Sequence, residues 1–432
     1  MPELNPQATK LNEAIQHSSA VIFNLLSERG REIFFPHAGI LGQTAEAKGK
    51  ELNATIGMAC NDNGSIMCLD CMSGEISIDD ELVFPYASSF GSKKLRESWQ
   101  KKIVSKNPTI EQSNISMPVV TSALTHGLNV VGYLFMDANT EIIMPEPYWG
   151  NYNLTFNITF GSKIITFPLF KDGKFNIKGL REKLNAGGPK KVILLNFPNN
   201  PSGYTPTNEE TKAIVNAVSE YSKKQNVIVI SDDAYFGLVY EPGVSEESIF
   251  SKFYKLSENI LAVKIDGITK EDYAWGLRVG FVTFGCKNGS PELYNALEDK
   301  AAGAVRATIS NVSHLSQSLI LQAFDKEKYE EEKTERKKIL RSRYEEIKKV
   351  ISDNPQYEKY FKPLPYNSGY FMCLALSGKL DAEEIRKHLL ESYDTGIIAV
   401  NNYLRIAYSS LAQKKLKDVF NNIYLACQDK EK

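Results

Sequence analysis

Two short runs, Val192-Ile-Leu-Leu195 and Val227-Ile-Val-Ile230, are apolar at every position. A strand with one wet face alternates apolar and polar residues. A strand with no wet face has no need to, and continuous Val/Ile/Leu runs of this length belong in a mostly parallel sheet covered on both sides. The surrounding pattern agrees. From about residue 90 the chain alternates helix and strand: a helix over 92–105, a helix from Thr125 to Met136, strand Glu141–Met144, a helix after Trp149 and strand Lys163–Phe167. Then come a helix over 177–186, strand Lys191–Phe197, a helix after Thr207, strand Asn226–Ser231 and strand Ile260–Ile265. Thr207-x-x-Glu210 has the capping-box form, in which two side chains satisfy free backbone N–H groups at a helix start. The predicted fold class is α/β, a three-layer, mostly parallel sheet.

The flanks read differently. Residues 1–30 suggest a polar start and one short amphipathic helix through Ala14, Val21, Ile22, Leu25 and Leu26. Residues 31–60 are irregular, with a short apolar strand in 52–60 that Gly57 ends. Asp325 to Asp353 is dense in Lys, Glu and Arg, with Leu340, Tyr344, Ile347 and Ile351 at helical spacing, which predicts one long helix with a solvated face. Beyond it, strand pieces at 370–375 and 404–408 and helices at 381–392 and 412–427 form a smaller C-terminal unit. The expected organisation is 1–75 as an N-terminal segment contributing to a small α+β domain, 76–325 as the large domain, and 326–432 as the rest of the small domain.

Composition excludes several function classes. Lys+Arg 51 against Asp+Glu 52 leaves a formal charge of -1, so no basic surface argues for nucleic acid. No run approaches the roughly 18–20 apolar residues of a membrane span, and the N-terminus has no apolar core of a signal peptide. The six cysteines are scattered; Cys68-Leu-Asp-Cys71 has metal-site spacing but no second pair. Free thiols in a reducing cytoplasm are expected, and no metal.

In an α/β sheet, sites form beyond the carboxyl ends of the strands. Here those ends carry unusual polar residues. Strand 191–197 runs into Asn196-Phe-Pro-Asn-Asn-Pro-Ser-Gly203, where prolines stiffen the backbone around Asn200. Strand 226–231 runs into Asp232-Asp-Ala-Tyr235, whose carboxylates either cap a helix or hold a cationic ring nitrogen. Val119 to Leu128 opens a helix with small and hydroxyl residues, as a phosphate cradle or an ordinary cap would. Trp149 sits at a strand exit, where it packs in the core or stacks on a planar ring. After Ile260–Ile265 comes Lys270, followed eight residues later by Arg278. A desolvated amine can lose its proton and attack a carbonyl, and an arginine fork can clamp an anion. Each feature alone has an ordinary structural explanation. Together they supply a reactive amine, an acid for a ring nitrogen, donors for a phenolic oxygen, a phosphate cradle and a stacking ring, which is a site for pyridoxal phosphate.

The ordered set Asn-Pro-Ser-Gly, Asp-x-Ala-Tyr, and Lys with Arg eight residues on resembles the fold-type I pyridoxal-phosphate aminotransferases of class I/II, over about Leu52 to Leu411. The resemblance implies that Lys270 bonds the cofactor and that Asp232 pairs with its ring nitrogen. It implies that Tyr235 and Asn200 bond the ring hydroxyl, and that Arg278 holds the phosphate with Ala123, Leu124 and Thr125. Trp149 would stack on the ring, Arg405 would grip the substrate α-carboxylate, and Ile56 and Gly57 would line the substrate pocket. Tyr86 and Arg306 resemble the aspartate/aromatic branch more narrowly. There a tyrosine reaches the phosphate, and an arginine the substrate's distal carboxylate, of the neighbouring subunit, so the resemblance also implies a homodimer with shared sites. Ala123, Leu124, Gly267, Leu195 and Ile309 depart from that branch, which weighs against simple aspartate specificity.

The implied reaction moves an amino group from an L-amino acid, dicarboxylic or aromatic, to a 2-oxo acid such as 2-oxoglutarate. A β-lyase or decarboxylase would use the same cofactor residues. A non-catalytic cofactor-binding regulator would carry a DNA-binding unit, for which the segment ahead of the catalytic fold is too short and not basic.

Overall fold

The structure is a computed structural model and describes residues 4–37, 39–73, 77–138, 140–186 and 190–431. The first part of the chain forms helices α1 (Pro6–Ser18), α2 (Ala20–Leu25), α3 (Glu28–Glu32) and α4 (Ile40–Glu46), then the short strand β1 (Leu52–Asn53). The single amphipathic helix expected over residues 1–30 is thus three. Ser19 is extended, and its side chain caps α2 at Ile22 N–H, while Ser27 caps α3 at Gly30 N–H. Serine competes for backbone bonds in this way, so it starts helices better than it continues them. The intended apolar stripe is also not covered by this chain: Val21 and Leu25 are 69% and 79% exposed. The strand expected over 52–60 is likewise short: β1 covers two residues, the chain bends at Gly57 and Met58, and Cys60 makes only an isolated bridge with Ile66.

The large unit follows with α5 (Lys93–Lys106), β2 (Val119–Thr121), α6 (Ala123–Phe135), β3 (Glu141–Glu146), β4 (Lys163–Pro168), a small hairpin of β5 (Phe170–Lys171) and β6 (Lys174–Phe175), α7 (Ile177–Asn185), β7 (Lys190–Asn196), α8 (Asn208–Ser222), β8 (Asn226–Asp232), α9 (Phe250–Phe253), β9 (Ile260–Gly267) and β10 (Gly280–Cys286). The helix expected after Trp149 is a π-helical turn at Asn153–Ile158. The capping box at Thr207 and Glu210 is formed in both directions. One seven-stranded sheet, in the order β2-β10-β9-β8-β7-β3-β4, carries this unit. All its pairings are parallel except those of β10, which runs against both β9 and β2.

The two-sided burial inferred from the apolar strands is what the sheet has. Val192 and Leu194 of β7 enter one buried cluster while Ile193 and Leu195 enter the other, and β8 divides Ile228 and Ile230 from Val227 and Val229 in the same way. Burying one such side chain contributes about 1.5–3 kcal/mol, but that burial does not set the register: a one-residue slip would exchange the two faces and leave both apolar, so the polar strand ends must set it.

Helices α10 (Pro291–Ile309) and α11 (His314–Phe324) lead to α12 (Tyr329–Ser352), the long charged helix anticipated from 325–353. A four-stranded antiparallel sheet follows, in the order β11 (Phe361–Pro363), β12 (Met372–Leu376), β15 (Tyr403–Ile406), β14 (Ile398–Val400). Helices α13 (Ala382–Ser392) and α14 (Leu416–Glu431) cover it, and β13 (Thr395–Gly396) pairs in parallel with β1, joining N- and C-terminal segments in one α+β unit. Cys68 and Cys71 are both free; burial pushes the Cys71 thiol up to about 11, the opposite of a metal-binding thiolate. Among the described residues, no group of three or more His, Cys, Asp or Glu is placed to hold a metal ion, and no helix is long and apolar enough to cross a membrane.

Candidate active site

A cavity of about 460 Å³ lies beyond the carboxyl ends of the large sheet, between it and the four-stranded sheet. Of the residues singled out from the sequence, it brings together Ala123, Leu124 and Thr125, Trp149, Asn200, Asp232 and Tyr235, Lys270 and Arg278, Arg405, and Ile56 with Gly57. Ile40, Leu41 and Thr44 of α4 close it from the N-terminal segment.

Lys270 stands in the loop after β9, its amine 5.2 Å from the centre of the Tyr235 ring. Burial pushes the amine down from the ordinary lysine range to about 8; Asp232 opposes the shift and Arg278 adds to it. Asp232, at the end of β8, is 2% exposed. It accepts a hydrogen bond from the Tyr152 hydroxyl at 2.6 Å and from Ala234 N–H at 3.1 Å. Burial raises its carboxyl above the usual range, and the Tyr152 bond and the Lys270 amine pull the other way. The Asn200 backbone is fixed from behind: its N–H donates to Asn196 Oδ1 at 2.8 Å, and Asn196 Nδ2 in turn donates to Asp232 O at 2.9 Å. One side chain therefore ties the ends of β7 and β8 together.

Arg405, on β15, is 3% exposed. Its Nη2 donates to Thr55 O at 2.9 Å, its Nη1 reaches Asn200 Oδ1 at 3.4 Å, and its guanidinium lies 4.4 Å from the centre of the Phe371 ring. Among the described residues no carboxylate pairs with it, and its Nε is buried without a partner. A buried arginine held by two neutral oxygens is short of one anion.

At the other end of the cavity, α6 begins at Ala123 with φ of 59° and no side-chain cap. The first N–H groups of a helix have no partner inside it, and its dipole favours an anion there. His126 consumes only the Ser122 N–H, at 3.0 Å. Arg278, in a left-handed conformation with φ of 54°, stands beside this end and faces the cavity. The close approach requires Gly280: a Cβ there would lie 2.7 Å from the Ala123 carbonyl carbon. Gly267 faces Gly280 across the β9–β10 pair, and a Cβ on it would come within 2.7 Å of both Gly280 Cα and Val279 O. A side chain at this position has no room. Gly267→Ser is expected to lower stability by about 1–3 kcal/mol through overpacking, read as a drop in the urea unfolding midpoint.

Two residues are not brought to the cavity. Tyr86 is 91% exposed, and Arg306 is exposed with its Nη1 donating to Ser310 Oγ at 2.7 Å. Neither lines the site of its own chain. Their segments are neighbours, however: Ser89 Oγ donates to Ser310 O at 2.8 Å. Leu195, one of the departures from the aspartate/aromatic branch, packs in the core cluster on its own side of β7, and the hydroxyl that bonds Asp232 is that of Tyr152. Tyr152 went unnoticed in the sequence although a signal was there, since it lies one helical turn beyond Trp149, which it meets edge-on at 5.4 Å. Asn196, Thr269 and Trp275 also went unnoticed; the last two line the cavity with side-chain polar atoms, Oγ1 and Nε1, that are buried without a partner.

The fold and this arrangement define a pyridoxal-phosphate enzyme of fold type I. Residues 52–423 match the model of the family described as aminotransferase class I and II, and the chain belongs to that family. It is 25% identical over 351 residues, 80% of this chain and 84% of the relative, to a protein of Aquifex aeolicus named probable aspartate/prephenate aminotransferase. It is 25% identical over 382 residues, 84% of this chain and 90% of the relative, to an aspartate aminotransferase of Bacillus sp. (strain YM-2). An aminotransferase structure from Anaerococcus prevotii superposes with a TM-score of 0.82 at 24% identity, covering 93% of this chain and 99% of that one. The protein is a pyridoxal-phosphate-dependent aminotransferase, moving an amino group from an L-amino acid to a 2-oxo acid.

Proposed function

We propose that Lys270 is the lysine that bonds the cofactor and that the surrounding residues divide its binding and the substrate's between them. The cavity fits the group: it offers a buried carboxylate without a cation, an uncapped helix start beside an arginine, and three buried polar atoms in want of partners. Asp232 would hold the ring nitrogen, Tyr235 and Asn200 the ring hydroxyl, and the α6 N-terminus at Ala123, Leu124 and Thr125 the phosphate, with Arg278 and Thr269. Trp149 would flank the ring. Bound there, the cofactor supplies an electron sink for negative charge at the amino acid's Cα. Arg405, oriented by Thr55 O and Asn200, binds the substrate α-carboxylate as a fork. Lys270 Nζ, with its proton affinity lowered into the neutral range, takes the Cα proton and later returns it as an acid. Ile56 and Gly57, with α4 above them, keep water from that proton. The single observation that carries this reading is a buried arginine without a carboxylate sharing one cavity with a depressed lysine amine and a buried aspartate.

For the donor we favour a dicarboxylic or aromatic amino acid with 2-oxoglutarate as acceptor, and for the assembly a homodimer. Tyr86 and Arg306 support both, because each is exposed, their segments are joined by the Ser89–Ser310 bond, and neither lines the cavity of its own chain. A cytoplasmic location is supported by six free cysteines. Arg306→Ala is the test. A panel of amino donors with 2-oxoglutarate should show kcat/KM for aspartate and glutamate falling about 10²-fold, within the range for losing a charged contact, and aromatic donors changing little. An equal loss for all donors, or none, would contradict the distal-carboxylate role.

A further inference from the structure

The two residues after Lys270 are acids, and both are held from below. Glu271 Oε2 pairs with Lys106 of α5 at 2.6 Å, and Glu271 Oε1 with Lys333 of α12 at 3.4 Å. Asp272 Oδ1 pairs with Lys333 at 2.7 Å and accepts from the Tyr329 hydroxyl at 2.6 Å. Asp272 is fully buried and Lys333 is 7% exposed. Gly237 leaves the space for this arrangement, since a Cβ on it would lie 2.5 Å from Glu271 Oε1. From above, the Tyr370 hydroxyl donates to Lys270 O at 2.7 Å. Apolar packing would hold a loop here at least as cheaply as a buried ion cluster does. What ion pairs add is direction, which fixes where a backbone sits.

The helix that carries Lys333 also holds the opposite side of the site. Ten residues on, about 15 Å along a helix, Arg343 donates to Ser409 O at 2.6 Å and to Cys60 O at 2.7 Å. Ser409 lies just past Arg405, and Cys60 lies just past the segment from Thr55 to Met58 that lines the cavity. One rigid element thus reaches the loop of the amine and the strand of the carboxylate grip.

We propose that Lys333, through Glu271 and Asp272, is a positioning residue that fixes the Lys270 backbone to α12 and so sets the distance of its amine from Arg405. This rests on Lys270 being the reactive amine. The titratable groups facing that amine are Asp232 from the end of β8, the neutral Tyr235 beyond it and Arg278 ahead of β10. On its own loop stand Glu271 and Asp272, answered by Lys106 and Lys333. Removing Lys333 leaves the charge of the two carboxylates only partly compensated, and both the added negative field and the loosened loop favour the protonated amine.

The experiment measures, in cofactor-free protein, the pH dependence of Lys270 reductive methylation by formaldehyde and cyanoborohydride, followed by peptide mass, together with kcat and KM of the loaded enzyme. In the parent the midpoint should lie near 8. Lys333→Met should raise it by about one pH unit, lower kcat about tenfold with KM within about twofold, and Lys333→Arg should restore both. If Lys333→Met does not fold, Tyr329→Phe, which removes one hydrogen bond to Asp272, is expected to move the midpoint and kcat in the same direction by less. A folded Lys333→Met, or Tyr329→Phe in its place, with the parent's midpoint and kcat would overturn the positioning role, as would a loss confined to thermal stability. A parent midpoint near the ordinary lysine value would overturn both this role and the assignment of Lys270.

Discussion

Lys270→Ala should lose amino transfer by at least about 10⁴-fold, the upper range for removing a positioned proton-transfer group, because on the proposed reading the same side chain would also anchor the cofactor. The visible absorbance of the lysine-linked cofactor should vanish with it. The sign of the pH effect follows from the cause of the shift. Burial disfavours the ammonium form, so the amine titrates near 8 rather than at the ordinary lysine value, and it becomes a nucleophile and base as pH rises through that point. Activity limited by this group therefore climbs from pH 6 towards a plateau above about 8. A variant that kept turnover without Lys270 would remove the basis of the mechanism. Glu271 and Asp272, so close in sequence, would then have to supply a base, but both are committed to Lys106 and Lys333.

Asp232→Asn is the second large effect, with kcat expected to fall about 10²–10³-fold, as for removal of one preorganised electrostatic group. Tyr152→Phe should fall by about tenfold, since it acts only by orienting Asp232 and moderating its proton affinity. The stability of the cofactor-free protein should respond in the opposite sense. Asp232 is a buried carboxylate whose burial raises its pKa, and the ring cation proposed to pair with it would be missing without the cofactor. Thermal denaturation of cofactor-free Asp232→Asn should show a Tm equal to or above that of the parent, because the amide carries no charge to bury. Loss of both activity and stability would mark Asp232 as structural. This trade between stability and function is what a binding site charged in advance for its ligand should display.

How far the sequence alone carried the account can be judged residue by residue. The sheet was legible because β7 and β8 bury both faces, and short continuous apolar runs of this kind are what a covered, mostly parallel sheet uses. The site was legible where chemistry is tied to strand ends: Asn200, Asp232, Tyr235, Lys270 and Arg278 all converge on the cavity. The N-terminal helices were not. Val21, Ile22 and Leu25 have helical spacing, but serines at 19 and 27 recast one helix as several, and their apolar faces find no cover within the chain. Tyr152 was hidden for another reason. It lies three residues past Trp149, immediately ahead of the π-helical turn, and a tyrosine among aromatics reads as core until its hydroxyl is seen on a carboxylate. Gly267 reads in the sequence only as a departure from the aspartate/aromatic branch, whereas its close approach to Gly280 shows a backbone constraint that no residue-by-residue comparison reveals.

The central claim is that this cavity transfers an amino group and does nothing further with the substrate's carbon skeleton. It is tested most directly by mixing cofactor-loaded enzyme with excess L-amino acid and no 2-oxo acid, and counting products. Arg405 and Lys270 as placed here predict one equivalent of 2-oxo acid per site, retention of the carboxylate, and a halt until an acceptor is added. Continued turnover releasing ammonia or carbon dioxide would contradict it.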